Sequence, residues 1–144
     1  SEVSRVSSAA LRAMKVGDEL PHLTTAPISR LTLALYAGAS GDHNPMHVDS
    51  DFARLAGAPD VFAHGMLAMA YLGRMLTAAL PMSALRQFGV RFAAVTQVGD
   101  VLNCRAEVTE RIERDGHTLL KLGLTATNAA GELKLAGDAL VAID

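Results

Sequence analysis

Residues 64–80 read His-Gly-Met-Leu-Ala-Met-Ala-Tyr-Leu-Gly-Arg-Met-Leu-Thr-Ala-Ala-Leu, and this run carries the strongest structural signal in the chain. Its side chains are apolar on nearly every face of a helix, Thr77 is its only β-branched residue, and Pro81 ends it. A helix without a polar side has to be covered by other structure. The run therefore predicts a long central helix with a sheet curled around it.

After Pro81 the pattern changes to the two-residue period of β-strands. Strands are predicted over residues 87–95, 102–109, 120–127 and 132–143. Asp115-Gly116 is a hairpin signal, and Asn128-Ala-Ala-Gly131 predicts a further turn. A helical half followed by an antiparallel meander of about four strands predicts an α+β fold, with one buried helix under a curved sheet.

The first half of the chain is predicted to be helical. Ser29 is suited to cap a helix, and Leu31 and Leu35 follow it at helical spacing. Residues 1–14 begin with a polar, Ser-rich segment and are expected to form a flexible N-terminal arm. Residues 15–144 are expected to form a single domain, since no linker or repeat divides them.

The charge balance excludes most nucleic-acid binders. Thirteen basic residues against 15 acidic ones give a formal net charge of -2, whereas binding to phosphates needs a basic excess. The single cysteine, Cys104, rules out an intrachain disulfide and a multi-cysteine metal site. The longest apolar run, Met66–Leu72, is too short to span a membrane, and the polar start shows no signal peptide. We expect a soluble protein of the cytoplasm.

Asp42 and His47 lie in a loop dense in turn-forming residues, Ser40-Gly-Asp-His-Asn-Pro-Met-His47. Pro45 stiffens this loop, so that it can hold a carboxylate and an imidazole toward one point. Such a pair can activate a water molecule near neutral pH. The alternative is that the acidic and amide side chains only stabilise turns and that His47 is a satisfied polar group.

Gly65 opens the predicted central helix. The free N–H groups at a helix start stabilise developing negative charge, and glycine lets a ligand approach the backbone closely. The alternative is that Gly65 only provides a tight entry into the helix. A metal cluster built from the acidic residues and histidines of residues 42–64 is not favoured, because Pro45 interrupts the one pair of histidines at helical spacing.

Two segments resemble the MaoC-like hydratase/dehydratase family, which includes the (R)-specific enoyl-CoA hydratases. They are residues 36–49, Tyr-Ala-Gly-Ala-Ser-Gly-Asp-His-Asn-Pro-Met-His-Val-Asp, and residues 62–67, Phe-Ala-His-Gly-Met-Leu. Similarity extends through Val16-Gly17-Asp18, Val90-Arg91-Phe92 and Val98-Gly99-Asp100. The pattern Gly-Asp-x-Asn-Pro-x-His is specific, and it favours a catalytic role for Asp42 and His47 over a turn-stabilising one.

The resemblance implies a hot-dog fold, in which an antiparallel sheet wraps a long helix, and a protein that is usually dimeric. It implies that Asp42 and His47 are the catalytic pair and that the Gly65 amide binds the thioester oxygen. Asn44, His64 and Met66 are expected to bind substrate. No cofactor or metal is expected.

The implied activity is the reversible hydration of trans-2-enoyl thioesters to (3R)-hydroxyacyl thioesters, with coenzyme A or acyl carrier protein as the carrier. Two alternatives remain open. One is a hot-dog thioesterase, although residues 64–80 lack the carboxylate that many such enzymes use. The other is a non-catalytic acyl-binding subunit of a heteromeric dehydratase. The expected partner is a second copy of the chain, in a homodimer or a larger assembly, or another hot-dog chain.

Overall fold

The computed structural model describes residues 4–144, which form four α-helices and five β-strands. The elements are α1 (Ser8–Ala13), β1 (Leu23–Thr24), α2 (Arg30–Ser40), α3 (Ser50–Leu55), α4 (Gly65–Ala79), β2 (Leu85–Phe92), β3 (Asn103–Arg114), β4 (His117–Thr127) and β5 (Leu133–Ala142), with 3₁₀ turns at Pro45–His47 and Met82–Ala84. The helices precede the four long strands, as the sequence predicts.

All five strands pair antiparallel in one sheet of order β1-β3-β4-β5-β2. The predicted hairpin joins β3 to β4, and Asp115 (φ 53°) and Gly116 (φ 75°) both take the left-handed conformation that a type I′ turn requires. The predicted turn before the last strand is also confirmed, with Gly131 at φ 83°. The α+β layout is therefore confirmed, and β2 lies at one edge of the sheet.

Helix α4 buries one side against the sheet in the main hydrophobic core. Five of its buried residues belong to this core, namely Ala68, Leu72, Met75, Leu76 and Ala79, and the sixth, Leu67, belongs to a second, smaller core. On the opposite side, Met66 is 55% exposed, and Ala70 and Arg74 are also exposed. The single chain thus covers the central helix on one side only, although the sequence of this helix calls for cover nearly all round.

Helices α2 and α3 pack over a second, smaller core. The predicted cap at Ser29 is confirmed, because its hydroxyl accepts the amide of Thr32. The helix that the spacing of Leu31 and Leu35 predicts is present as α2, but these two leucines are 68% and 65% exposed while Leu33 is fully buried. Leu33 lies about half a helical turn from the other two leucines, so α2 turns the side that carries Leu33 toward the core.

The N-terminal segment contributes to the main core. Within the arm expected over residues 1–14, residues 1–3 lie outside the described residues, and Ser8–Ala13 form α1. Leu11 of α1 is 5% exposed, and the amide of Val6 donates to the carbonyl of Ala79 at 2.9 Å. The flexibility of this arm stays a prediction, and so does the boundary of the domain at residue 15.

Cys104 lies in the main core, where burial raises the pKa of its thiol to about 12. It is a core residue rather than a nucleophile, as expected. Among residues 4–144, no helix combines the length and hydrophobicity needed to cross a bilayer.

The contact between β2 and β5 depends on the absence of a side chain at Gly137. A Cβ atom there would lie 2.0 Å from the carbonyl oxygen of Gly89 and 2.7 Å from the Cα of Val90. Both atoms belong to the backbone, so β2 would have to move away.

We expect Gly137→Ala to lower the free energy of unfolding by about 1–3 kcal/mol, measured by urea denaturation. Gly38→Ala, on the open surface of α2, is the matched control and should raise it by up to about 1 kcal/mol. Equal stabilities of Gly137→Ala and the parent would contradict this account.

Candidate active site

A short loop between α2 and α3 holds the acidic member of the predicted pair. Gly41 ends α2 in the left-handed conformation, with φ 76°. Three hydrogen bonds from backbone amides to side-chain oxygens follow. The Asp42 amide donates to the Ser40 hydroxyl and the Asn44 amide to Asp42 Oδ1. The Met46 amide donates to Asn44 Oδ1. These turns fix the course of the backbone. Asp42 therefore has a turn-stabilising contact, yet its carboxylate stays exposed.

His47 ends the 3₁₀ turn and is 8% exposed. Its Nδ1–H donates to the carbonyl of Phe62 at 2.7 Å, and the imidazole and the Phe62 ring form a T-shaped contact with 5.2 Å between centroids. Because a carbonyl oxygen can only accept, Nδ1 carries the hydrogen. In the neutral ring the lone pair is therefore on Nε2, which is the form required of a general base.

His64 lies directly beneath this loop and is 1% exposed. Its Nε2–H donates to the backbone carbonyl of Asp42 at 3.1 Å, and its ring stacks on that of His47 with 3.9 Å between centroids. The ring of Tyr36 meets it edge-on at 4.8 Å. Burial is the main cause that lowers the pKa of His64, so the ring stays neutral around pH 7.

The three groups converge. One carboxylate oxygen of Asp42 and one ring nitrogen each of His47 and His64 lie within 4.8 Å of one another. Two histidines and a carboxylate can bind a transition metal. Here one nitrogen of each ring already donates to a backbone carbonyl, and the two rings stack with 27° between their planes, so only one nitrogen of each imidazole is left to bind an ion. The expectation that no metal is needed stays a prediction.

A cavity of about 360 Å³ opens beside this cluster. It is lined by His47, by Gly65 and by Phe92–Thr96, called here the cavity wall. Phe62, Ala63 and Leu135 complete the lining. A Cβ atom on Gly65 would lie 2.9 Å from the ring of Phe92. The glycine thus leaves room for the start of α4 to face the cavity, and His64, the residue before it, provides no side-chain cap.

Only some of the six predicted site residues line the cavity. His47 and Gly65 line the cavity, and Asp42 lies next to His47. Asn44 caps the 3₁₀ turn, His64 is buried, and Met66 is exposed on α4. No motif in the sequence predicts a role for the carbonyl of Phe62 or for the cavity wall. Of the segments that resemble the MaoC-like family, Val90-Arg91-Phe92 reaches the wall through Phe92.

A larger cavity, of about 740 Å³, lies at the other end of the molecule. It is lined by residues of α1, of the start of β2, of the β3–β4 hairpin and of the end of β5. No predicted site residue in the described chain lines it. Volume alone therefore does not mark the site, and the smaller cavity is the one next to the acid–base cluster.

Comparison with known proteins places this arrangement in a family. The sequence model of the MaoC like domain matches residues 12–130. An (R)-specific enoyl-CoA hydratase of Rhodospirillum rubrum is 28% identical over 118 residues, which span 81% of this chain and 80% of that protein. A mitochondrial 3-hydroxyacyl-[acyl-carrier-protein] dehydratase of Arabidopsis thaliana is 33% identical over 94 residues, which span 65% of this chain and 55% of that protein.

A solved structure extends the likeness to three dimensions. The unliganded R-hydratase PhaJ1 from Pseudomonas aeruginosa superposes with a TM-score of 0.79 and 28% identity, over 98% of this chain and 87% of that one. The predicted hot-dog architecture, a curled antiparallel sheet with a long helix, is confirmed by this superposition. The match of the family model covers most of the chain, and the chain belongs to the MaoC-like domain family.

Proposed function

We propose that this protein reversibly hydrates trans-2-enoyl thioesters to (3R)-hydroxyacyl thioesters in acyl metabolism. Coenzyme A or acyl carrier protein would be the carrier. The observation that carries the proposal is the convergence of the Asp42 carboxylate and the His47 imidazole beside a cavity that reaches Gly65. The related hydratase and dehydratase support the class of reaction.

The Asp42–His47 pair is proposed to handle the proton. Together the carboxylate and the Nε2 lone pair of His47 hold a water molecule and remove its proton as its oxygen bonds to the β-carbon. The electron pair of the carbon–carbon double bond moves toward the thioester oxygen. Asp42 and His47 then return a proton to the α-carbon. Dehydration is the reverse sequence, in which the α-proton and the β-hydroxyl are lost as water.

Gly65 is proposed to stabilise the negative charge that develops on the thioester oxygen. It is the first residue of α4 and is exposed to the cavity. The first amides of a helix have no partner within the helix, and the helix dipole favours an anion there. An amide held by the backbone needs no rearrangement as the charge forms.

The other three predicted site residues have different surroundings. His64 is proposed to position the catalytic pair, because it bonds to the backbone of Asp42 and stacks on His47 while almost fully buried. Asn44 fixes the 3₁₀ turn that carries His47. Met66 is exposed next to Gly65, and we propose that it contacts substrate.

A second copy of the chain is proposed to cover the exposed side of α4. Met66, Ala70 and Arg74 share this side, and the outer edge of β2 has no neighbouring strand in the described chain. An open strand edge and an uncovered helix face are both completed by association. A cytoplasmic location is part of the proposal, because the single cysteine, Cys104, is a buried free thiol that needs no oxidising compartment.

Replacing either member of the catalytic pair should abolish most of the activity. We expect Asp42→Asn and His47→Ala each to lower kcat for hydration of crotonyl-CoA by ~10²–10⁴, since general acid–base groups contribute about that factor. Loss of the enoyl absorbance measures the rate. His43→Ala, an exposed histidine of the same loop, is the matched control and should stay within about twofold of the parent.

Three outcomes of this assay would contradict the proposal. They are a parent that does not hydrate the substrate, variants that keep the parental rate, and release of free coenzyme A thiol in place of hydration. The last outcome would assign the protein to the thioesterases. Such an activity is not favoured, because Gly65–Ala79 contains no carboxylate.

The buried His64 should make stability depend on pH. Its pKa is lowered in the folded chain, so as the pH falls the unfolded chain takes up the proton first, near the ordinary value of about 6.5. Stability is therefore complete above about pH 6.5 and decreases below it until the folded imidazole is also protonated. We expect the urea midpoint of the parent to fall more between pH 7.5 and 5.5 than that of His64→Gln. His43→Ala should show the same fall in urea midpoint between these two pH values as the parent. An equal fall in all three proteins would contradict the view that the buried His64 causes it.

A charge on the exposed side of α4 should prevent association. We expect the parent to be a dimer by light scattering and Ala70→Glu to be a monomer, because a buried carboxylate without a partner is costly at an interface. Ala39→Glu, an exposed helical alanine on α2, should leave the dimer intact. A monomeric parent, or a dimer in both variants, would exclude this face. Association only after addition of another hot-dog chain would show a heteromer instead.

A further inference from the structure

Lys134, near the start of β5, is a buried cation outside the catalytic cluster. Its side chain is 3% exposed, and it is the only lysine or arginine among the buried residues of the described chain. Its Nζ donates to the carbonyl of Val95 at 2.7 Å, lies 3.4 Å from Asp100 Oδ2 and is paired with Glu132. The ammonium group therefore has three oxygen partners, and one of them belongs to the cavity wall.

The backbone of Lys134 holds the same wall. Its carbonyl accepts the amide of Ala93 at 2.8 Å and that of Ala94 at 3.3 Å. These contacts are made just after β2 ends at Phe92, where the chain leaves the regular ladder of the sheet. Beyond that point the wall depends on Lys134, whose carbonyl holds its beginning and whose ammonium holds Val95.

The far end of the wall is attached to the active site. The carbonyl of Thr96 accepts the amide of Ala63 at 2.9 Å, and Gln97 forms an isolated β-bridge with Phe62. Phe62 provides the carbonyl that orients His47, and Ala63 precedes His64 and Gly65. A continuous series of contacts thus runs from the Lys134 ammonium through the wall to the start of α4.

The identity of this residue is informative because a buried charge is costly. Removing an ammonium group from water is unfavourable until its partners compensate, and a protein with an apolar side chain of similar volume in its place is often as stable or more so. What an apolar side chain cannot do is hold a backbone carbonyl at a fixed position. The charge–carbonyl bond to Val95 is therefore the specific contribution of Lys134.

We propose that Lys134 is a positioning residue that fixes the cavity wall and thereby sets how tightly an acyl thioester binds. This inference rests on the proposed function. Lys134 does not line the cavity, so it acts on substrate through the wall and takes no part in proton transfer. Its loss should therefore weaken substrate binding more than it slows the chemical step.

Lys134→Met tests this proposal, since methionine keeps an unbranched chain but has no donor. We expect the KM for crotonyl-CoA to rise at least tenfold, kcat to fall less than threefold, and the shape of the pH–rate profile to stay that of the parent. Hydrogen exchange at the Ala63 amide should become at least tenfold faster, because its acceptor is in the released wall. Lys134→Arg, which retains a charged donor, should recover part of both effects.

Lys121→Met, a lysine replacement on the neighbouring strand β4, is the matched control and should change neither KM nor exchange at Ala63. If Lys134→Met does not fold, Glu132→Gln replaces it, because that exposed carboxylate pairs with the ammonium. It should raise KM and the exchange rate in the same direction by about two- to fivefold.

A folded Lys134→Met with parental KM and parental exchange would overturn the proposal. So would a large fall in kcat with an altered pH profile, which would assign Lys134 to the chemistry. In the fallback variant, unchanged KM and exchange would overturn it equally. If the parent does not hydrate crotonyl-CoA, the proposed function fails, and the exchange comparison still decides whether Lys134 holds the wall.

Discussion

The hydrogen bond from His64 Nε2 to the Asp42 carbonyl joins the two parts of the site that are distant in sequence. Asp42 belongs to a loop that follows α2, whereas His64 is the residue that enters α4. The same imidazole stacks on His47, so one buried ring supports the loop, the second histidine and the helix start at once. If this ring moved, the relative positions of the Asp42 carboxylate, the His47 imidazole and the Gly65 amide would change. Its neutral state is part of this role, because a protonated ring would face the neighbouring histidine at 3.9 Å.

The central helix has two sides with different consequences. One side is buried in the main core and fixes the helix against the sheet, which in turn fixes where its first amide points. The other side, with Met66 and Ala70, is uncovered in the single chain. A sequence that is apolar nearly all round is consistent with both sides being covered in the assembled protein. The helix therefore links the stability of one chain, the proposed dimer and the orientation of the oxyanion donor.

Local patterns predicted the elements better than they predicted which face each element buries. Gly41 and the Asp115-Gly116 pair act through their own backbone geometry, and Ser29 acts through its hydroxyl on the nearby amide of Thr32. Each occupies the position that its chemistry suggests. Leu31 and Leu35 show the limit, because helical spacing defines a stripe but not the partner that covers it. The site divides in the same way. Asp42 and His47 lie in one short motif that the sequence reveals, whereas Lys134 reaches Val95 across 39 positions of the chain, and no local pattern encodes that contact.

This division has a consequence for how the cavity can vary. The proposed catalytic groups are Gly65 at the start of α4 and the Asp42–His47 pair in the loop between α2 and α3. The pair is held by His64 and by the carbonyl of Phe62. The cavity wall faces them from the end of β2 and is held largely through backbone atoms, by the carbonyl and ammonium of Lys134 and by the amide of Ala63. The side chains of Ala93, Ala94 and Val95 are therefore not needed to keep the wall in place. Changes in their size can alter the space available to an acyl chain while the acid, the base and the oxyanion donor stay where they are.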